Sequence, residues 1–179
     1  ALTVDTPPRL WFSTGIRAVD HSVESWCSVN LTPMVEAMSL HAFKQLYAGL
    51  RGCLANPADL DMRLKCQIGS WLSVQGVSTG VDLGASHGIG HVLGGTAGMP
   101  HGETSCVMLP HVLRHNLGVN GERQRSMAAA VGQDGTPLAD VIQRLVADLG
   151  LPGRLRDADV PRDILPLISE ESMHDLWVK

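Results

Sequence analysis

Thr32-Pro33-Met34-Val35-Glu36 sets a hydroxyl able to cap, a proline at a position whose N–H a helix does not use, and a glutamate beside the positive end of the dipole in immediate succession. Apolar residues continue at helical spacing to Leu50, which predicts a long helix. Downstream, Asn56-Pro57-Ala58-Asp59 repeats the start signal, and Leu60, Leu64, Ile68, Trp71 and Leu72 carry an apolar stripe towards Val77, predicting another. Upstream, Ile16, Val19, Val23 and Trp26 fall at the same period between Gly15 and Trp26, with Ser13 or Thr14 available as a cap. The pair Pro7-Pro8 reads as part of an extended lead-in over residues 1–14, because proline keeps its predecessor out of the helical region. Further helices are predicted from His87 to Leu93, Glu103 to Leu117, Glu122 to Val131, Pro137 to Leu149 and Pro161 to Ile168, punctuated by glycines. No segment alternates with period two. The expectation is an all-α, bundle-like multi-helix domain over residues 15–179.

Composition agrees with that frame. A chain of 179 residues that is 44% hydrophobic and 18% charged can bury one sizeable core. With 14 Lys and Arg against 18 Asp and Glu it carries a net charge of -4 and no basic run, which argues against nucleic acid as a partner. No stretch approaches the roughly 20 uninterrupted apolar residues of a spanning helix, and Ala1-Leu2-Thr3-Val4-Asp5 has no basic region leading into an apolar one. Cys27, Cys53, Cys66 and Cys106 stand singly among apolar residues, as buried reduced thiols do. A cytoplasmic protein with no membrane partner is expected.

Chemistry concentrates in Ser86-His87-Gly88-Ile89-Gly90-His91, where two histidines at i and i+4 project from one helix face. His101 follows after Gly94-Gly95 and Met99-Pro100, a turn able to fold it back towards the pair. Three neutral imidazoles with an open position suit a catalytic divalent ion. The same spacing also suits a close-packed core segment whose imidazoles bond backbone carbonyls, and spacing alone does not choose. A zinc-peptidase reading fails, since Gly88 stands where that motif needs a general-base glutamate. His41, His111, His115 and His174 read as surface or packing residues, Trp26 and Trp71 as core, and Cys106 as part of a buried helix face.

Gly84-Ala85-Ser86-His87-Gly88-Ile89-Gly90-His91-Val92-Leu93-Gly94-Gly95, then Pro100-His101-Gly102, then Leu109-Pro110-His111-Val112-Leu113-Arg114-His115-Asn116, together resemble the signature of the iron-containing alcohol dehydrogenase family, whose fold is dehydroquinate-synthase-like. Gly15-Ile16-Arg17-Ala18-Val19-Asp20-His21-Ser22-Val23-Glu24 is similar to the same family's Gly-x-Asp-Ala-x-x-His-x-x-Glu helix. The resemblance implies a C-terminal helical domain only. It implies that NAD(P)H binds through an N-terminal dinucleotide-binding domain absent from this chain, so no cofactor-binding residue is assigned here. Consistently, Gly94-Gly95-Thr96 lies among the histidines and not behind a strand.

The resemblance also implies a ligand set for iron or zinc: one aspartate and three histidines, matching position 17, His21, His87 and His101, with His91 beside the reacting carbonyl. Position 17 is arginine, which cannot ligate a cation, and Asp20 lies about 100° round the helix from His21. A branch of the family, the maleylacetate reductases, lacks that aspartate and reduces an unsaturated oxo-diacid without a metal. On that likeness Arg17 is the partner of a substrate carboxylate, His21, His87 and His101 line the substrate, and His91 supplies the proton. The plain alternative is a surface Arg17 paired with Asp20 or Glu24, and Ser86-His87-Gly88 departs from the paired histidines of that branch. The expected function is the substrate-side domain of an NAD(P)H-dependent oxidoreductase acting on a small, carboxylated carbonyl compound, as a homo-oligomer. Rival readings are a stand-alone three-histidine metal-binding or hydrolytic protein and a non-catalytic, truncated helical module.

Overall fold

A computed structural model describes residues 2–178 of the chain. Nine α-helices follow one another among these residues: α1 (Pro8–Cys27), α2 (Pro33–Ala55), α3 (Leu60–Ser73), the single-turn α4 (Gln75–Ser78), α5 (Ala85–Ala97), α6 (His101–His115), α7 (Leu117–Ala130), α8 (Leu138–Asp148) and α9 (Leu165–Ser172). Two 3-10 turns, Leu155–Ala158 and Arg162–Ile164, lead into α9, and no strand occurs among the described residues. The all-α expectation holds.

The start of α2 is as the sequence predicts, with Thr32 Oγ1 accepting the Val35 N–H and Pro33 in the first turn. Several boundaries differ from the predicted ones: α3 stops at Ser73, α5 and α6 begin at Ala85 and His101, α7 begins at Leu117, and three further cases show why. The lead-in is helical from Pro8 onward: proline's fixed φ suits a first helical position, Pro7 supplies the extended cap, and Phe12 consequently joins the core. The boundary at residue 14 therefore falls away. In α3 the cap is Asp59, whose Oδ1 accepts the N–H groups of Asp61 and Met62 at 3.0 Å, while Asn56 only closes a turn onto Ala58. The helix predicted from Pro161 begins later, after the 3-10 turn, and runs to Ser172.

Helix α1 is the axis of the fold, packed against α2, α3 and α6. Ile16, Val19 and Val23 from α1 meet Phe43, Leu46 and Leu50 from α2, and Leu109 and Leu113 from α6, in the main core. A smaller cluster of Leu93, Met99, Val107, Val160 and Ile168 ties α5 and α6 to α9. Gly102 lets the start of α6 touch α1, since a Cβ there would lie 2.6 Å from the Ser13 carbonyl carbon. That approach carries His101 to the polar face of α1.

The expectation for Trp71 is overturned. Trp71 is 64% exposed, together with Leu60 and Leu64, and the buried face of α3 is instead Arg63, Cys66, Gly69 and Ser73. The cause is how closely α2 and α3 approach: a Cβ on Gly69 would lie 2.7 Å from Leu46 Cγ, so the small Cys66 and Gly69 face inward at the contact and the large apolar stripe is turned out. Trp26 is buried and its Nε1 donates to the Arg123 carbonyl at 3.0 Å. His41, His111, His115 and His174 are exposed, and all four cysteines are free thiols, with Cys106 buried. No described helix is long and apolar enough to cross a membrane.

Candidate functional site

Arg17, Asp20, His21 and Glu24 follow the i, i+3, i+4, i+7 pattern, so α1 presents all four along one stripe. Facing that stripe are the N-terminal turn of α5, with Ser86 and His87, and the first turns of α6, with His101 and Ser105.

Glu24 does the work of a missing cap. Gly84 precedes α5 without a side chain, and the Glu24 carboxylate, reaching from α1, accepts the backbone N–H groups of Gly84 and Ser86 at 2.9 Å and of His87 at 3.3 Å. The same carboxylate accepts from His87 Nδ1 at 2.7 Å. The proton of a neutral His87 is thereby fixed on Nδ1, and its buried Nε2, a bare acceptor, has no partner among the described residues.

Asp20 is fully buried and accepts from Ser86 Oγ at 2.7 Å, with His87 Nδ1 at 3.5 Å. Burial raises its pKa to about 6, and the neighbouring His87 and Arg17 act against that rise. Arg17 is also buried: Nη1 donates to Ser105 Oγ at 3.1 Å, stands 4.0 Å from Asp20 Oδ2, and Nε has no partner among the described residues. Arg17 is therefore not at the surface, although the alternative's pairing with Asp20 is present. Burial lowers the pKa of this guanidinium, against the attraction of Asp20 and Glu24.

His21 lies 4.6 Å from His87, centroid to centroid. Burial takes its pKa down to about 3, helped by repulsion from His87 and His101 whenever they are protonated and from Arg17, so His21 is neutral at pH 7. His101 is shifted down too, by burial first and then by Arg17. The rings of His91 and His101 stand parallel, 6.3 Å apart. All five residues singled out in the sequence, Arg17, His21, His87, His91 and His101, thus converge between α1, α5 and α6. Sequence reasoning missed Glu24 as a cap, Asp20 and Ser86 as a buried pair, and two residues beyond α9: Asp175, with Oδ2 3.3 Å from His91 Nδ1, and Trp177, whose ring lies 5.2 Å from that of His91. Trp177, Glu24 and Gly84 also wall a neighbouring groove of about 360 Å³ that none of these five residues lines.

A divalent ion does not fit this donor set. The ring nitrogens of His21, His87 and His101 do not gather within 4.8 Å of one another; among the described residues the set that does is Asp20, Glu24 and His87. In that set both Glu24 oxygens and Asp20 Oδ2 already accept hydrogen bonds, and His87 Nδ1 donates one. Arg17 adds a fixed positive charge where a fourth, anionic ligand would be needed.

Residues 11–178 match the model of the Fe-containing alcohol dehydrogenase family, C-terminal, and the chain belongs to that family. It is 32% identical to the 1,3-propanediol dehydrogenase of Klebsiella pneumoniae over 97% of this chain and 47% of that protein. It is also 32% identical to the maleylacetate reductase of Burkholderia cepacia, over 94% of this chain and 47% of that one. The structure of an iron-containing alcohol dehydrogenase from Corynebacterium glutamicum superposes with a TM-score of 0.86 at 29% identity, covering 96% of this chain and 48% of that chain. The chain thus spans about half the length of the relatives it matches.

Proposed function

We propose that this chain is the substrate-side helical part of an NAD(P)H-dependent oxidoreductase that reduces the carbonyl of a small carboxylated compound, in the manner of a maleylacetate reductase and without a metal ion. The observation that carries the reading is the buried Arg17 guanidinium set beside neutral imidazoles in place of an anionic ligand. Arg17 already faces Asp20 at 4.0 Å, but its Nε has no partner among the described residues and 7% of its side chain is open, and a carboxylate is the anion whose geometry a guanidinium matches. His21 and His101, held neutral, donate or accept hydrogen bonds without adding charge that would compete with Arg17. His91, half-exposed at the edge of the cluster, is read as the group that gives a proton to the carbonyl oxygen, its contact with water supporting that role. A reduced nicotinamide held by a separate domain would supply the hydride. Association of such chains as homo-oligomers belongs to the same proposal.

Calorimetric titration of the chain with maleate tests this. Saturable binding is expected, weakened at least tenfold, or about 1.4 kcal/mol, in Arg17→Gln and much less in His41→Gln, a surface control. Equal affinity in wild type and Arg17→Gln would overturn the reading.

A further inference from the structure

His91 differs from its neighbours in the cluster in being 42% exposed at the side chain, so it meets both the site and water. The ring is nonetheless held. Its Nδ1 faces Asp175 Oδ2 at 3.3 Å, although the two residues are 84 positions apart. The other Asp175 oxygen accepts the Trp177 backbone N–H at 2.9 Å, which locks the carboxylate into the turn that carries it. That turn rests directly on α5: a Cβ at Gly88 would lie 2.7 Å from Asp175 Oδ1 and 2.6 Å from Val178 Cγ2. Trp177 completes the enclosure, 5.2 Å from the ring of His91 and edge-on to that of His87 at 6.2 Å.

We propose that Asp175 is the positioning residue of His91: it accepts the Nδ1–H bond, fixes that tautomer and aims Nε2 into the space shared with His101. An imidazole with no such partner favours the proton on Nε2; a carboxylate behind Nδ1 reverses the choice and steadies the imidazolium when it forms. In the proton step the N–H bond at Nε2 of the imidazolium breaks, an O–H bond forms on the substrate oxygen that received the electron pair, and the ring returns to its neutral Nδ1–H form. Water then reloads Nε2 through the exposed edge. Gly88 is explained by the same arrangement, since a Cβ there would push on the Asp175 carboxylate and the Val178 side chain.

This inference rests on the reading of His91 as proton donor but can fail separately from it. Long-range 1H–15N spectra of the histidine-labelled chain, at a pH where imidazoles are neutral, report which nitrogen of His91 carries the proton. Wild type is expected to show protonated Nδ1 and bare Nε2. Asp175→Ala is expected to move the proton to Nε2, and Asp175→Asn, whose single oxygen is taken by the Trp177 N–H so that its NH2 faces Nδ1, to do the same. A wild-type His91 already protonated on Nε2, or an Asp175→Ala spectrum identical to wild type, overturns the proposal. Trp177→Phe guards against a packing effect: loss of the Nδ1–H form there, with retention in Asp175→Ala, would also overturn it. Maleate titration of the same variants separates the two readings, because binding at Arg17 can persist when the tautomer result fails, and the tautomer result can hold when maleate does not bind.

Discussion

Glu24 has both oxygens committed, to three backbone N–H groups of the first turn of α5 and to His87 Nδ1. One side chain on α1 therefore fixes the position of α5, the tautomer of His87 and the direction of the bare Nε2. Its removal is expected to cost both the cap and the fixed tautomer. Glu24→Gln is nearly the same size but offers one acceptor where two are used, and turns an NH2 towards backbone donors. Loss of charged acceptors at a buried site costs about 2–4 kcal/mol, so a clear drop in the urea midpoint is expected, with His87 losing its fixed Nδ1 proton in the spectra described above. A variant as stable as wild type would show that the cap is dispensable.

At the scale of elements, α3 shows where a reading of periodicity succeeds and where it stops. The period is correctly helical, but the stripe of large apolar residues faces out because Gly49, Cys66 and Gly69 let α2 and α3 approach too closely for large side chains. Gly49→Ala would put a Cβ 2.9 Å from the Met62 carbonyl oxygen and 2.7 Å from Cys66 Sγ, and should cost about 1–3 kcal/mol. Trp71→Ser, a far larger change in volume, should stay within about 0.5 kcal/mol because the ring is mostly in water. Thermal denaturation of the two variants checks the ranking, and a reversed order would refute the packing account. The same distinction governs what was legible at the site. The spacing of His87, His91 and His101 is local and could be read. Arg17 could be placed by its offset from His21. Glu24 was in view, yet caps are ordinarily supplied by the residue just before a helix, and this one comes from 60 positions away. Asp175 carries no local signal at all, since its pairing is made by the way α9 packs onto α5. Helix boundaries at Pro8 and Asp59 were displaced for a simpler reason: proline and Asn-Pro both start helices and turns, and only packing of the next residues decides between them.

For the molecule as a whole, the described residues supply every helix that positions Arg17 and the histidines but no strand behind which a phosphate-cradling turn could sit. The one glycine pair near the site, Gly94-Gly95, lies within the last turns of α5, and α5 itself begins at a carboxylate, which would repel a diphosphate. The chain alone should therefore leave the fluorescence of NADH and NADPH unaltered across the concentrations at which maleate binds. Fused behind the dinucleotide-binding half of a maleylacetate reductase, it should gain NAD(P)H oxidation dependent on an oxo-diacid. Arg17→Gln in that fusion should weaken the dependence on the diacid without changing cofactor affinity, because the guanidinium lies in the helical part and faces the imidazoles. Saturable micromolar binding of either nucleotide by the unfused chain would refute the division of labour, and so would a fusion whose cofactor affinity falls together with its diacid affinity in Arg17→Gln.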